Sequence, residues 1–265
     1  MGKSKYLNMT SLFANANNIT TIQKKKGICN NLTILDLFIF INLIKIDERA
    51  FEECMNLITV SLPQNIEEIS NRAFNDCSIS YLNFNNLTNL SIIGNNAFAN
   101  NKFKRLDLSY CTNLKTIGDR AFSSNYKSYP KKDGIKILKL PQSLCDIGKS
   151  AFEDNMIENL DISNCINLKI INDSCFYKNK IKILKLPNTI EIICDNAFED
   201  NQIEELDLSN CTNLKNIKHH AFIFNPLKEI KILDKIEIIC GNDQLDYSWN
   251  KFVDFYNNNG KKAGD

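Results

Sequence analysis

Residues 181–201 read IKILKLPNTIEIICDNAFEDN, and this stretch recurs with small changes along most of the 265-residue chain. Its landmark is the pair Ala197-Phe198. Phenylalanines that follow a small residue in this way return at intervals of 22 to 24 residues, with one interval of 30. A repeat of this length predicts that the units stack on one another, because a single unit cannot bury its own apolar face. The phenylalanines are Phe51, Phe74, Phe98, Phe122, Phe152, Phe176, Phe198 and Phe222.

The units come in two lengths that share one hydrophobic register. The longer unit is clearest from Leu206, whereas the shorter one lacks two residues after its strand and carries a proline there, such as Pro187. The Leu-x-Leu pair of each unit alternates with period two and predicts a short strand. The irregular apolar spacing that follows predicts turns, closing on one helical or 3₁₀ turn around Ala-Phe. We expect the phenylalanines to stack as a buried spine, each worth about 1.5–3 kcal/mol.

A second column lies three residues after each phenylalanine. It holds cysteine at Cys54 and Cys77 and asparagine in the other units, and Asn30 takes the same place before the first clear strand. The backbone of a tight solenoid turn is buried, and a carboxamide can satisfy both its N–H and its C=O groups. The column therefore predicts a structural asparagine ladder. Its asparagines are Asn101, Asn125, Asn155, Asn179, Asn201 and Asn225.

Composition narrows the class of protein. With 43 % hydrophobic residues and a net charge of +1, the chain is expected to be one soluble, monomeric domain that does not bind nucleic acid through bulk charge. No stretch approaches the roughly 18 apolar residues of a membrane span. The N-terminal residues lack the apolar core of a secretory signal, so the expected location is cytoplasmic. The alternative is the cell surface or secretion by another route.

The ten cysteines have places in the repeat. Cys111, for example, holds the inward position that Phe40 and Leu87 hold in other units. There is no Cys-x-x-Cys, and His219 and His220 are adjacent, so that their side chains would point apart. We therefore expect the cysteines to be structural thiols. Disulfides are the second interpretation, and a metal site is the last.

Motifs of enzymatic chemistry are missing from the sequence. It has no glycine-rich phosphate loop, no Gly-x-Ser-x-Gly and no metalloprotease helix motif. We accordingly expect no enzyme activity, no catalytic residue, no cofactor and no metal.

Charged residues alternate at the middle strand position from the fourth unit onward. Adjacent strands of a sheet lie about 4.8 Å apart, so each carboxylate would sit between two ammonium groups. One interpretation is that this ladder specifies strand register. The other is that the same ribbon recognises a partner, with Arg105, Asn159, Glu205 and Glu229 on its flank. The alternating residues are Asp107, Lys139, Asp161, Lys185, Asp207 and Lys231.

The early units break this alternation and carry apolar and aromatic residues instead. Ile34, Phe38, Thr59 and Tyr81 flank middle positions that are not a salt ladder. Exposed aromatic and apolar side chains mark interaction surfaces better than charge does. Together with Arg105, these residues form our candidate binding site for a protein partner.

The interval of 30 residues contains an insertion, YKSYPKKD at residues 126–133. Insertions in solenoids map to loops, often near the binding face. Tyr126 and Tyr129 are therefore added to the candidate partner-binding residues, although tolerated decoration is the favoured interpretation of the insertion.

The pattern changes after Asp246. Trp249, Phe252, Val253 and Tyr256 fall at i, i+3, i+4 and i+7, one face of an amphipathic helix. We predict a terminal helix over residues 247–258 that covers the last open edge of the solenoid.

The unit at residues 181–201, Ile-x-x-Leu-x-Leu-Pro-x-x-Ile-x-x-Ile-x-x-x-Ala-Phe-x-x-Asn, resembles the BspA-like leucine-rich repeats of bacterial surface antigens. The closing run WNKFVDFYNNNGKKAG resembles tails that end spirochaete-type arrays. The resemblance covers roughly residues 30–264. It implies an α/β solenoid, a right-handed leucine-rich-repeat superhelix with one continuous parallel β-sheet, short turns or 3₁₀ segments on the other side and a C-terminal capping helix.

Three segments follow from this assignment. Residues 1–31 are a degenerate N-terminal repeat or cap, residues 32–244 are a solenoid of about nine units, and residues 245–265 are the capping helix and tail. The resemblance also implies a non-catalytic scaffold for protein–protein interaction. The alternative is an exported cell-surface adhesin or host-interaction factor.

Overall fold

The computed structural model describes residues 19–23, 29, 31–125, 134–233 and 236–238. Each repeat contributes two very short strands, and all strand pairs are parallel. The Leu-x-Leu strands form one side of the solenoid, which we call the even-strand face. They are β2 (Ile34–Asp36), β4 (Thr59–Ser61), β6 (Tyr81–Leu82), β8 (Arg105–Asp107), β10 (Ile137–Lys139), β12 (Asn159–Asp161), β14 (Ile183–Lys185), β16 (Glu205–Asp207) and β18 (Glu229–Lys231).

A second set of two-residue strands lies about ten residues further along each repeat and forms the odd-strand face. These strands are β1 (Thr21–Ile22), β3 (Lys45–Ile46), β5 (Glu68–Ile69), β7 (Ile92–Ile93), β9 (Thr116–Ile117), β11 (Asp146–Ile147), β13 (Ile170–Ile171), β15 (Ile192–Ile193), β17 (Asn216–Ile217) and β19 (Glu237–Ile238).

The parallel solenoid confirms the repeat prediction, but the prediction of one continuous sheet was wrong. The even-strand face consists of three sheets, β2-β4-β6, β8-β10-β12-β14 and β16-β18. The odd-strand face consists of two, β1 to β11 and β13 to β19. Sequence reasoning missed the odd strands because a two-residue strand has one inward side chain, such as Ile193, and therefore shows no alternation.

The phenylalanine spine is present as predicted. All eight rings are buried, and neighbouring rings stack with centroids 5.2–5.7 Å apart and planes within 11° of parallel. The longest step, 5.7 Å, joins Phe122 and Phe152, the two rings that flank the insertion. The insertion at residues 126–133, which lies outside the described residues, therefore leaves the core stacking intact.

The segment around each Ala-Phe pair is not the predicted helical or 3₁₀ turn. Asn196 and Asp200, on either side of Phe198, have left-handed φ values of 58° and 52°. The left-handed residues on either side of Phe198 turn every second backbone N–H group toward the next repeat. Phe198 N–H therefore donates to Ala221 O at 2.8 Å. A helix would direct those N–H groups along its own axis and leave the stacked turns unconnected. The described residues contain no helix, and the predicted capping helix at 247–258 lies outside them.

The asparagine ladder follows directly behind the spine. Asn155 is fully buried, and its Nδ2 group donates to Phe122 O at 2.9 Å and to Phe152 O at 3.1 Å. Its Oδ1 atom accepts a hydrogen bond from Ile135 N–H at 3.1 Å. The carboxamide thus joins consecutive turns. The same three contacts recur at Asn179, Asn201 and Asn225.

Cysteines continue this column at its N-terminal end. The Cys77 thiol donates to Phe51 O at 3.1 Å, which reproduces the amide contact of the ladder asparagines. Cys54 forms a disulfide with Cys29, so the expectation that structural thiols come first fails for this pair. Cys29 shares the backbone hydrogen bonding of this column, because Leu32 N–H donates to Cys29 O just as Leu57 N–H donates to Cys54 O. Asn30, the predicted first member of the column, lies outside the described residues.

A second polar column, unforeseen from the sequence, runs beside the odd-strand face. The Oδ1 atom of Asn95 accepts a hydrogen bond from Asp119 N–H at 2.8 Å, and the residues one repeat away behave alike. Gly118 makes room for it, because a Cβ atom there would lie 2.4 Å from Asn95 Oδ1. Glycine is therefore required by close approach at this position.

The ladder generates a prediction about graded stability. Asn155→Ala removes four hydrogen bonds and leaves Ile135 N–H without that partner, at about 1–3 kcal/mol for an unsatisfied buried group, whereas Phe122 O keeps the Asn125 Nδ2 donor. Asn125→Ala should lower the free energy of unfolding by less, because Asn125 Oδ1 has no hydrogen-bond partner in the described part of the chain. Urea unfolding of both variants, with the exposed Asn164→Ala as a control, measures the difference. Equal losses at positions 125 and 155 would contradict the ladder.

Candidate partner-binding surface

The even-strand face brings three of the candidate residues into one row. Ile34 on β2 lies opposite Thr59 on β4, and Thr59 lies opposite Tyr81 on β6. Ile34 and Thr59 are half-buried, whereas Tyr81 is 61 % exposed. Side chains on adjacent strands of one face lie close enough to form one surface.

Phe38 is close to Ile34 in sequence but lies outside this row. It follows β2 in a turn closed by its own N–H, which donates to Asp36 Oδ1 at 3.1 Å. Its ring is 62 % exposed. Tyr126 and Tyr129 lie outside the described residues, so their candidacy stays a prediction.

Arg105 joins Tyr81 across a groove between β6 and β8, where the even-strand sheet is interrupted. This β6–β8 groove has a volume of about 380 Å³. Its wall includes Tyr110, a residue that sequence reasoning missed. The available signal was its position, because Asn164 and Asn210 occupy the equivalent place in later repeats. The groove is lined by Ser80, Tyr81, Leu82, Asn83, Phe84, Asn85, Lys104, Arg105, Asp107 and Tyr110.

Asp107 is the acidic residue of the groove, and local contacts hold it in place. Its Oδ2 atom lies 2.9 Å from Arg105 Nη2 and 3.8 Å from Lys139 Nζ. Ser109 donates its hydroxyl to Oδ1 at 2.6 Å. Burial acts to raise the pKa of the Asp107 carboxyl, but the hydrogen bonds from Ser109 and Arg105 outweigh it and lower the pKa below the ordinary value.

The predicted charge ladder is present only as separate pairs. Asp161 and Lys185 lie opposite each other on β12 and β14, with Lys185 Nζ 3.6 Å from Asp161 Oδ2. Asp207 and Lys231 are also opposite each other, but Lys231 Nζ lies 3.0 Å from Glu229 instead. The sheet break between β14 and β16 interrupts the series. The expectation that each carboxylate sits between two ammonium groups is therefore wrong on this face.

A carboxylate between two ammonium groups occurs on the odd-strand face instead. The Glu191 carboxylate lies 3.3 Å from Lys169 Nζ and 2.7 Å from Lys215 Nζ, in the repeats before and after it. Both lysines lower the pKa of Glu191 through hydrogen bonds and their positive charge.

The strand aspartates have a local function that the sequence pattern Asp-x-Ser could have revealed. Each accepts hydrogen bonds from the serine two residues later, as Asp161 Oδ1 does from Ser163 Oγ at 2.6 Å and from Ser163 N–H at 3.2 Å. Such side-chain-to-backbone bonds close a turn. The aspartates therefore end the strand as well as pairing across it.

Three buried thiols follow strands of the even-strand face. Burial raises the pKa of Cys111 to about 12 and those of Cys165 and Cys211 to about 11, so these thiols stay protonated and are poor nucleophiles. Within the described ranges, no group of three or more His, Cys, Asp or Glu residues could hold a metal ion. Nor do those ranges include a helix of the length and hydrophobicity needed to cross a bilayer.

Comparison with known proteins agrees with this geometry. Residues 25–129 and 125–244 match the profile described as BspA type leucine rich repeat region, in six copies. No curated protein sequence matches the chain.

Two solved structures are similar to the chain. A leucine-rich repeat protein from Bacteroides ovatus is 20 % identical, with a TM-score of 0.58 over 85 % of this chain and 67 % of that one. The leucine-rich effector protein YopM from Yersinia pestis is 21 % identical, with a TM-score of 0.52 over 83 % of this chain and 54 % of that one. At these identities the likeness establishes the fold alone.

The strand aspartates generate a prediction that separates turn closure from the charge ladder. The pKa of Asp161 is lowered from its ordinary value of 3.8, first by the Ser163 hydroxyl and less by Lys185. Ser163→Ala should therefore raise the pKa of Asp161 more than Lys185→Met does, as measured by NMR titration of the carboxyl carbon. A larger effect of Lys185→Met would favour the charge ladder.

The sign of the linked stability change follows. Because the folded-state pKa is the lower one, the contribution of Asp161 to stability is complete above the unfolded value near 3.8 and is lost as the pH falls through the folded value. The variant with the less depressed pKa should lose less stability on acidification.

Proposed function

The chain belongs to the BspA-type leucine-rich-repeat family, and we propose that it is a non-catalytic scaffold that binds a protein partner through its even-strand face. One observation carries this proposal. The β6–β8 groove combines the exposed Tyr81 and Tyr110 with Arg105, and Tyr and Arg are the residue types enriched where binding energy concentrates in protein interfaces.

The repeat pattern supports the choice of this face. The aspartates and lysines within the later strands already have partners in the solenoid, as Asp161 has in Lys185. Phe38 and Tyr81, by contrast, expose aromatic rings at positions where the later repeats have no aromatic residue. Aromatic residues exposed together favour recognition, because their rings bury a large area at a small entropic cost.

Affinity capture with a matched control tests the proposal. The double variant Phe38→Ala/Tyr81→Ala should lose a partner that the wild type retains, with the binding constant weakened by at least about tenfold for hot-spot residues. The control Ile166→Ala/Ile183→Ala removes side chains of similar exposure, 51 % and 54 %, from later repeats. It should retain the partner.

Thermal unfolding checks that both double variants remain folded. Capture of the same partner by both variants, at equal strength, would rule out the early repeats as the binding surface.

A second candidate function is that of an exported cell-surface adhesin or host-interaction factor. The Cys29–Cys54 disulfide favours it, because disulfides persist in oxidising compartments and are rare in the cytosol. The cytoplasmic location expected from the sequence remains the competing prediction.

The two locations predict different chemistry for one pair of cysteines. If the protein is exported, alkylation of intact cells before lysis should leave Cys29 and Cys54 unmodified and linked, and protease added outside the cells should degrade the protein. If it is cytoplasmic, both thiols should be alkylated after lysis and the protein should be protected. Mass spectrometry of the linked peptides reads the first outcome, and immunoblotting reads the second.

A further inference from the structure

Three consecutive turns carry a cysteine at one place beside the phenylalanine spine. Cys29, Cys54 and Cys77, which we call the cysteine column, lie one repeat apart from each other. The first two are joined as a disulfide, and Cys77 carries a thiol. Cys54 is therefore the middle sulfur of three and has a column neighbour on each side.

The turns of Cys54 and Cys77 are spaced as a disulfide requires. The Cα atoms of the linked pair, Cys29 and Cys54, lie 4.5 Å apart. In the next step of the column, strand β3 pairs in parallel with β5. Phe51 and Phe74, each three residues before a column cysteine, stack with ring centroids 5.2 Å apart. Both values fall in the range of about 4.4–6.8 Å that separates the Cα atoms of disulfides.

The direction of the Cys77 side chain agrees with this spacing. Its Sγ atom lies 3.1 Å from Phe51 O, in the turn of Cys54. The same oxygen accepts the Cys54 N–H at 3.2 Å. The Cys77 thiol therefore contacts the turn that it would bridge, and the two cysteines share one acceptor.

A bond between Cys54 and Cys77 preserves the backbone hydrogen bonding around it. Phe51 O would lose the thiol donor and keep the Cys54 N–H. In the asparagine turns a backbone N–H of the preceding turn depends on the carboxamide oxygen, as it does at Asn101. The equivalent group beside Cys54, Leu57 N–H, donates to Cys54 O at 2.8 Å and needs no side-chain acceptor.

We propose that the cysteine column is a disulfide relay, in which one bond moves by a turn between Cys29–Cys54 and Cys54–Cys77. The Cys77 thiolate attacks Cys54 Sγ, so that a new S–S bond forms as the Cys29–Cys54 bond breaks. Cys29 leaves as a thiolate and takes up a proton in place of the one that Cys77 lost. Thiols and disulfides stay equal in number, so the step needs no oxidant or reductant.

Burial makes each form of the relay persistent. Cys54 and Cys77 are both fully buried, and a thiol in apolar surroundings forms the reactive thiolate rarely. Exchange therefore occurs when the turns open locally. Both bonds close a loop of one repeat, so chain entropy favours neither.

The relay changes how firmly the N-terminal end of the solenoid is closed. Strand β1 in the turn of Cys29 pairs with β3, and the Cys29–Cys54 bond fixes this turn covalently to the next. After the exchange, hydrogen bonding and packing alone hold it there. The inference is independent of the proposed binding of a partner.

Peptide mapping reads the position of the bond. Trypsin places the three column cysteines in separate peptides, residues 27–45, 50–72 and 73–102. Cys29→Ser removes the leaving group, so in a glutathione redox buffer we expect Cys54 and Cys77 to become linked. Alkylation of the remaining thiols before digestion prevents later exchange, and mass spectrometry identifies the linked peptides.

Two further variants are controls. Cys54→Ser removes the shared sulfur and should leave Cys29 and Cys77 both alkylated, because two turns span about 9.6 Å and a disulfide joins Cα atoms no more than about 7 Å apart. Cys111→Ser removes a buried thiol outside the column and should keep the wild-type linkage.

The wild-type chain tests the exchange itself. Without added oxidant or reductant, part of Cys29 should become open to alkylation while the Cys54 and Cys77 peptides become linked, at a constant total of thiols. The rate should rise with pH, since the thiolate is the attacking form.

Two results would overturn the relay. One is that Cys29→Ser, with a cooperative melting curve, leaves Cys54 and Cys77 fully alkylated in the redox buffer. The other is that the wild type keeps only the Cys29–Cys54 bond at every pH, a result that decides the matter even where the variant does not fold. A Cys29–Cys77 bond in Cys54→Ser would contradict the one-turn geometry.

Discussion

The whole structure depends on hydrogen bonding between the buried backbone groups of successive turns. A turn of 22 to 24 residues has no internal helix or hairpin in which to pair its N–H and C=O groups, so the next turn must supply the partners. Parallel strand pairing meets this need on two sides of the solenoid. On the third side, left-handed residues such as Asn196 direct alternate N–H groups to the neighbouring repeat, and Asn155 and its equivalents satisfy what the backbone leaves unpaired.

This constraint explains why small and polar residues recur as strictly as large apolar ones. The small residue before each spine phenylalanine, Cys175 in one unit and alanine in the others, is fully buried between left-handed residues. Gly118 is fixed by the approach of Asn95 from the preceding turn. Apolar packing alone would tolerate several side chains at such places, whereas hydrogen bonding across a repeat fixes both residue type and position.

The residues available for function are those that the stacking does not use. Several charged residues on the even-strand face have partners in the next turn, and three strand aspartates also close their own turns through serines such as Ser163. Tyr81 and Tyr110 have no repeated structural task. Their concentration beside one interruption of the sheet, between β6 and β8, is the reason for assigning recognition to that place.

The sequence by itself determined the repeat, the phenylalanine spine and the asparagine column, because these depend on period and residue type alone. Ile34, Thr59 and Tyr81 could be placed in one row for the same reason. Only the tertiary structure decided how the turns meet. The odd strands are too short to show alternation. The Cys29–Cys54 disulfide joins residues from different repeats. The breaks between sheets depend on how each turn packs against the preceding one. The β6–β8 groove arises from such a break, so the sequence showed Tyr110 only as a departure from the asparagine of later repeats and could not place it in a groove.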